Sequence, residues 1–407
     1  MAAPERNRAV KIGADGVHLT YCSNIHPGES WAEVRANIER YFPAVRDRVA
    51  PGEMFGIGLR LSARAARELG SGDALAEFRE FMGRSKLYVF TINGFPYGTF
   101  HGTRVKEEVY LPDWRDEERV RYTDELAELL VQLLPDGVEG SISTVPGAFK
   151  PAMRGGADVG KIADNMLRHV AKLVQIKRDS GRHIALAIEP EPHCYLETIA
   201  ESVRFFHEHL FSAAAVRRLG ELTGLDRQAA AAALRGHIGL CLDLCHAAVE
   251  FEDPAACIRD LQEAGIRVTK LQISAGLRLP ELTPDAVTAL KQFDDPVYLH
   301  QVVEAGPGGI KRYADLPEAL VTATGKPDGR EWRVHCHVPI FMDNLGAFSS
   351  TRSFISEVLG IHKLHPVSGH LEVETYTWNA LPAHLRAGGM EQAIARELNW
   401  VRKELAA

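Results

Sequence analysis

Several apolar runs in this chain stop on side chains that hold cations or carry protons. "AIEPEP" ends in Glu189 and Glu191; "LCLDLCH" carries Asp243 and His246; "KLQIS" carries Gln272 and Ser274; "HLEVETY" carries His370, Glu372 and Glu374. Side chains alternate faces along a strand. Cys241, Asp243 and Cys245 therefore share one face, opposite Leu240, Leu242 and Leu244. The leucines suit a helix-covered side, which turns Asp243 inward. Glu372 and Glu374 share a face by the same rule. Carboxylates gathered in an apolar mouth repel one another and lose hydration. Few basic residues close these runs: Arg60 is the plainest, and Lys270 lies two positions below Gln272. A divalent cation is the natural counter-charge. The expected ligands are Glu189, Asp243, Gln272 and at least one of Glu372 and Glu374. Such oxygen donors suit Mn²⁺, Mg²⁺ or Co²⁺ better than a thiolate-bound structural zinc; Zn²⁺ bound by the same oxygens is the fourth candidate.

Each residue also has a plainer reading. Glu189 could be a surface residue at a strand end, Asp243 a member of a buried ion pair, Gln272 a buried amide bonded to backbone, and His246 a core histidine. His335 and His337, in "HCH", face the same way in an extended segment; they could contact substrate, bind metal or cap an inserted hairpin. Asn93 closes another run, "KLYVFTING".

Eight apolar runs would carry these residues: 16–24, 54–62, 86–94, 137–147, 183–190, 237–246, 267–274 and 370–378. Between them lie amphipathic segments, among them 30–42, 121–134, 160–181 and 253–265. In 160–181, Ile162, Met166, His169, Val170, Leu173 and Val174 fall on one helical face. Strand–helix alternation predicts parallel strands joined by crossovers, and eight of them predict a closed (β/α)₈ barrel, a TIM barrel. Polar residues at strand C-termini then form its active face. The rival is a doubly wound open sheet, but no GxGxxG turn follows the first strand. Residues 201–236 read as two helices. Residues 275–345, with "PVYLHQVVEAG" and "EWRVHCHVPIF", read as an inserted hairpin or lid before the last strand, with "WRVHCHVPI" as a barrel strand in an alternative register. No low-complexity linker divides residues 1–407, which are expected to form one elaborated domain.

Lysine and arginine number 47 against 54 acids, a net of −7. That counts against a protein living on nucleic-acid phosphates. A metal-dependent endonuclease on abasic DNA would also need a basic crescent around its mouth. The N-terminal "MAAPERNRAV" has no apolar signal core, and no run of about 18 apolar residues predicts a membrane span. Six scattered cysteines without a CxxC pair suit reduced thiols and a cytoplasmic location. The sequence leaves a homo-oligomer open.

Four strand ends, "AIEPEP", "LCLDLCH", "KLQIS" and "LEVETYT", resemble the xylose-isomerase-like superfamily of sugar isomerases and epimerases. The resemblance implies a metal-binding Glu after the fifth strand, an Asp-x-x-His after the sixth and a Glu on the eighth. Glu189, Asp243 with His246, and Glu374 match; Glu374 is preferred to Glu372 because it lies nearer the strand end. Gln272 stands where the epimerase branch usually has histidine. "YCSNIHPGESW", "FTINGFPYGTFHG", "LAIEPEPHC", "LCLDLCHAAVEFE", "WRVHCHVPIF" and "HLEVETYTWNALP" look like the metabolite traffic protein EboE family, whose name implies handling or export of a small metabolite. The expectation is a metal-dependent isomerase or epimerase on a polyol or sugar-like molecule. Glu189 and Glu374 would be both ligands and proton carriers. His246, Asn93, His335, His337 and Glu372 would contact substrate. The alternative, favoured by Gln272 and the 275–345 segment, is a carrier that binds the metabolite without turnover.

Overall fold

The computed structural model describes residues 16–98, 106–294, 297–326, 328–376 and 389–406. Residues 99–102 of "FTINGFPYGTFHG" and 377–382 of "HLEVETYTWNALP" lie outside them.

All eight apolar runs contain a strand. In chain order the strands are β1 (His18–Tyr21), β2 (Phe55–Arg60), β3 (Leu87–Asn93), β4 (Gly140–Thr144), β5 (Ile184–Ile188), β6 (Ile238–Asp243), β7 (Val268–Ile273), β8 (Ala275–Leu279), β9 (Val302–Gly306), β10 (Gly309–Tyr313), β11 (Glu331–Val338), β12 (Ser349–Ser350) and β13 (His370–Val373). One sheet runs β1-β13-β7-β6-β5-β4-β3-β2, every neighbouring pair parallel. Helices connect its strands, and its two end strands come together, so the sheet is a nearly closed (β/α)₈ barrel.

The seam between β1 and β2 is made by a side chain as much as by backbone. The Thr20 hydroxyl donates to Gly56 O at 2.7 Å and accepts from Gly58 N at 3.1 Å, and a parallel bridge joins Cys22 to Gly58. Glycine is required at 58 because the barrel interior is full there. A Cβ would stand 1.9 Å from Glu372 Oε2 and 2.6 Å from Tyr21 O. Gly58→Ala is therefore expected to cost about 1–3 kcal/mol or more by overpacking. A thermal melt checks this; an unchanged midpoint would show that Glu372 can move aside freely.

The Asp-x-x-His spacing has a local cause. β6 stops at Asp243, which caps the helix Leu244–Val249 by accepting from His246 N at 3.0 Å. Capping returns the third helical residue towards the cap, so His246 lies beside Asp243. This corrects the alternation expected for Cys245. It is helical rather than the next inward strand residue, and its N–H donates to Ser274 Oγ at 3.0 Å. Residues 201–236 also hold more helix than expected: Ile199–Phe205 continues into a π turn, Phe206–Leu210, before Ala213–Thr223 and Arg227–His237.

The insertion precedes the last barrel strand, as expected, but is larger than a hairpin. It is an antiparallel sheet of order β10-β9-β11-β8-β12, and "WRVHCHV" is its central strand rather than a barrel strand. Only Ser274 separates β7 from β8, so the insertion springs from the C-terminal rim of the barrel. Its apolar side chains, including Leu277, Val302, Trp332 and Val334, belong to the same buried cluster as Leu186, Leu240 and Leu371 of the barrel. Polar staples reinforce the join. Arg312 Nε donates to Glu250 Oε2 at 2.7 Å, Arg333 Nη1 donates to Ala248 O at 2.6 Å, and the Arg333 guanidinium lies 3.9 Å from the Phe251 ring centre.

Candidate metal centre

β5, β6, β7 and β13 deliver Glu189, Asp243, Gln272 and Glu374 to one place. Glu189 and Glu374 sit one residue beyond their strands, their N–H groups still tied to Thr144 O and Ile273 O of the neighbouring strands. One carboxylate oxygen from each of Glu189, Asp243 and Glu374 lies within 4.8 Å of the other two. Gln272 Nε2 donates to Glu189 Oε1 at 3.2 Å and to Glu374 Oε2, so one amide bridges two acids. Asn24 Nδ2 holds the other Glu374 oxygen at 2.6 Å. Asp243 Oδ1 accepts from Ser274 Oγ at 2.7 Å, while Asp243 Oδ2 is buried without a hydrogen-bond partner.

The residues present fit a divalent cation. Donor atoms of one ion at oxygen–metal distances of about 2.1 Å stand roughly 3 to 4 Å apart, within reach of this group, whose three oxygens lie within 4.8 Å of one another. The orphaned Asp243 Oδ2 is a buried acceptor in want of a positive partner. The electrostatics agree. Burial, then repulsion by Glu374, push Glu189 up to about 8, against the opposing pull of His246. Burial opposes charge on His246, but the carboxylates of Asp243, Glu191, Glu189 and Glu374 outweigh it and push the imidazole up to about 9. The acids therefore draw any available proton to themselves and their neighbour. Gln272 presents nitrogen to two of them; turned about its last torsion, the same amide would offer a cation its oxygen.

A cleft of about 620 Å³, including its open mouth, lies over these groups. Barrel residues Asn24, Asn93, Glu189, Glu191, His246 and Glu374 line one side. The inserted sheet and its loops contribute Tyr298, Leu299, Gln301 and His335, and Phe95, Val109 and Tyr110 add apolar wall. Aromatic walls with a few convergent polar groups are usual for small-molecule sites.

The other expected site residues divide. Asn93, His246 and His335 line the cleft. His337 is buried, its Nδ1 donating to Glu374 O at 3.0 Å. Glu372 is placed away from the cleft. Its carboxylate is fully buried, 2.7 Å from Lys270 Nζ, and accepts from Asn93 Nδ2 at 2.9 and 3.2 Å. Lys270 also donates to Asn93 Oδ1 at 2.7 Å. Burial alone would neutralise Lys270; the Glu372 carboxylate overrides it and keeps the ammonium charged. Glu372 is thus neutralised from within the barrel.

No protein-family model matches the chain, and no curated protein sequence matches it. Solved structures do match it. A xylose isomerase-like TIM barrel protein from Mycobacterium smegmatis, in complex with magnesium, aligns at 12% identity and a TM-score of 0.48 over 97% of this chain and 98% of its own. The probable 3-DHS dehydratase AsbF of Bacillus anthracis, involved in petrobactin synthesis, aligns at 11% and 0.46 over 94% and 97%. The IOLI protein with a zinc atom aligns at 12% and 0.46 over 95% and 97%. These likenesses concern the course of the backbone; the chemistry of the site is read from this chain's own side chains.

Sequence reasoning passed over several cleft residues. Tyr110 donates to Glu191 Oε1 at 2.6 Å, and Gln301 Nε2 donates to Tyr110 Oη at 2.9 Å. Tyr110 belongs to a short 3₁₀ turn and Gln301 lies just before β9, neither with a periodic pattern to flag it. Asn24 and Glu191 stood at strand ends already noted and carried a signal of the same kind as Glu189. No described helix is long and apolar enough to cross a membrane, and all six cysteines are unpaired and buried.

Proposed function

We propose that this chain is a divalent-metal-dependent barrel of the sugar isomerase or epimerase type, similar to EboE, acting on a polyhydroxylated small metabolite. The observation that carries the reading is the meeting of Glu189, Asp243 and Glu374, each from a different strand end, with Glu189 and Glu374 lining the cleft. Held by these three and by Gln272, a cation would polarise a carbonyl and favour two adjacent substrate oxygens. Glu189 and Glu374 are the proton carriers, one carboxylate taking a proton from carbon and the other, as the acid, delivering its own, to the opposite face of that carbon in an epimerisation or to the neighbouring carbon in an isomerisation. Asn24 fixes the Glu374 carboxylate by its hydrogen bond. Positioned proton transfer of this kind is worth about 10² to 10⁴ in rate. His246 and Asn93 orient substrate hydroxyls, and the Phe95 and Tyr110 rings offer apolar faces to the carbon skeleton.

The test is turnover. With Mn²⁺ or Co²⁺ restored to chelator-treated protein, at least one member of a panel of sugars and cyclitols is expected to be isomerised or epimerised, with loss of activity in Glu374→Gln. One observation favours a second reading, a metabolite carrier: Gln272 Nε2 already bridges Glu189 and Glu374, so the cluster can be partly satisfied without an ion. Tight binding of a panel member with no turnover in either metal would establish that reading over the first.

A further inference from the structure

We infer that the molecule this cleft takes is an uncharged polyol carrying an apolar arm, such as an alkyl or aryl group; the polyol end rests on the reading proposed above, the arm does not. The division follows the fold. Residues at the barrel strand ends, Asn24, Asn93, Glu189 and Glu374, make the polar floor. Segments outside the barrel strands supply apolar walls: the stretch after β3 gives Phe95, Pro96 and Val109, and the inserted region gives Leu299. Phe95, Val109 and Leu299 are half-buried and pack against the main apolar core. The core covers one side of each, and another side is left to the cleft. Beyond Phe95 the rings continue as a stack. Phe95 lies on Tyr110 with 5.7 Å between ring centres and 18° between planes, and Tyr110 on Phe149 with 5.2 Å and 8°. The Tyr110 hydroxyl already meets Glu191 and Gln301, so what this residue offers a ligand is its ring.

The two walls are tied to each other. Lys106 N donates to Val297 O at 3.1 Å, and Lys106 Nζ donates to Tyr298 O at 2.8 Å and to Asp315 Oδ2 at 2.6 Å. This clasp joins the segment that carries Val109 to the one that carries Leu299, so both line one slot. It also engages the charge a phosphate would seek. Among the described residues Lys106 is the one lysine or arginine lining the cleft, and its ammonium already meets a carboxylate. His246 stands among the carboxylates of Glu191 and Asp243. A phosphate or carboxylate on the substrate would face acids, whereas uncharged hydroxyls suit the floor. A bare sugar covers an aliphatic wall poorly, because its hydroxyls lose water there without gaining a partner. An apolar arm does cover it, at about fourfold in affinity for each methylene fully buried.

The experiment is titration calorimetry on the full chain in Mn²⁺ with methyl, butyl and phenyl β-D-glucopyranoside and with glucose 6-phosphate. Butyl or phenyl glucoside is expected to bind about tenfold or more tightly than methyl glucoside, and the better of the two tells an aliphatic arm from an aromatic one. The gain is expected to collapse in Leu299→Asn and in Val109→Asn, the second variant serving should the first fail to fold. Equal affinities for the three glucosides overturn the arm, as does binding of none of them. A gain that persists in both variants also overturns it, since the arm would then lie elsewhere. Glucose 6-phosphate binding more tightly than methyl glucoside overturns the uncharged headgroup. The isomerase reading fails on a different measurement: no turnover beside an intact gain removes the reaction and keeps the arm, whereas turnover of plain sugars beside equal affinities keeps the reaction and removes the arm.

Discussion

Asp243→Asn protein is expected to purify with its divalent cation lost or held about 100-fold more weakly. Asp243 lies in two of the ligand groupings, one with Glu189 and Glu374 and one with His246 and His337, and its Oδ2 has no hydrogen-bond partner. Asparagine keeps the shape and, through Oδ1, the helix cap at His246 N. It removes the charge, which is what a cation needs. Loss of an oriented metal contact costs on the order of 10- to 100-fold in affinity even outside the direct ligands, so a direct ligand belongs at the upper end. The metal-free variant should melt no lower than metal-free wild type, because one acid fewer repels Glu189 and Glu374. Elemental analysis and a thermal melt decide it. Unchanged Mn²⁺ or Zn²⁺ content in a folded variant would remove Asp243 from the centre, and with it the proposed chemistry.

The second large effect lies in the barrel interior. Lys270→Met is expected to destabilise the chain by about 3–5 kcal/mol, the usual consequence of leaving one partner of a buried ion pair alone. Lys270 Nζ and Glu372 Oε1 are 2.7 Å apart, and both side chains are 0% exposed. Without the ammonium, Glu372 must either stay charged in an apolar layer or take up a proton, and Asn93 Oδ1 loses one of two donors, keeping the Ser143 hydroxyl at 3.1 Å. Adding Glu372→Gln should recover much of the loss, since the amide oxygen still accepts from Asn93 Nδ2. Urea unfolding of the single and double variants measures both effects. A double variant as unstable as the single would show that Lys270 acts through packing alone.

Much of this was legible in the chain itself. Each barrel strand announced itself as a short apolar run, and the residues that gather at the mouth are those that closed the runs. Glu189, Asp243, Gln272 and Glu374 were recoverable because a parallel barrel turns position along a strand into depth. What alternation cannot supply is depth to within one pair of residues. Glu372 and Glu374 share a face, and only the position of Lys270 separates the interior ion pair from the acid at the cleft. Cys245 failed for a related reason: a period of two holds only while the strand lasts, and Asp243 ends it by capping a helix. The inserted sheet was harder still. β10, "GIKRY", is short and largely exposed, so it lacks the apolar signature by which the barrel strands were found. Tyr110 and Gln301 act from irregular segments, where spacing carries no information about direction.

Ser274, the single residue between β7 and β8, has a consequence for how the cleft is held together. Its hydroxyl grips Asp243 Oδ1 and receives Cys245 N–H, while its backbone continues into the first strand of the inserted sheet. Floor and ceiling of the cleft are thus one uninterrupted stretch of chain, pinned at the joint to the acid with the orphaned oxygen. The contacts of that acid and the seating of the inserted sheet are thus shared at a single residue.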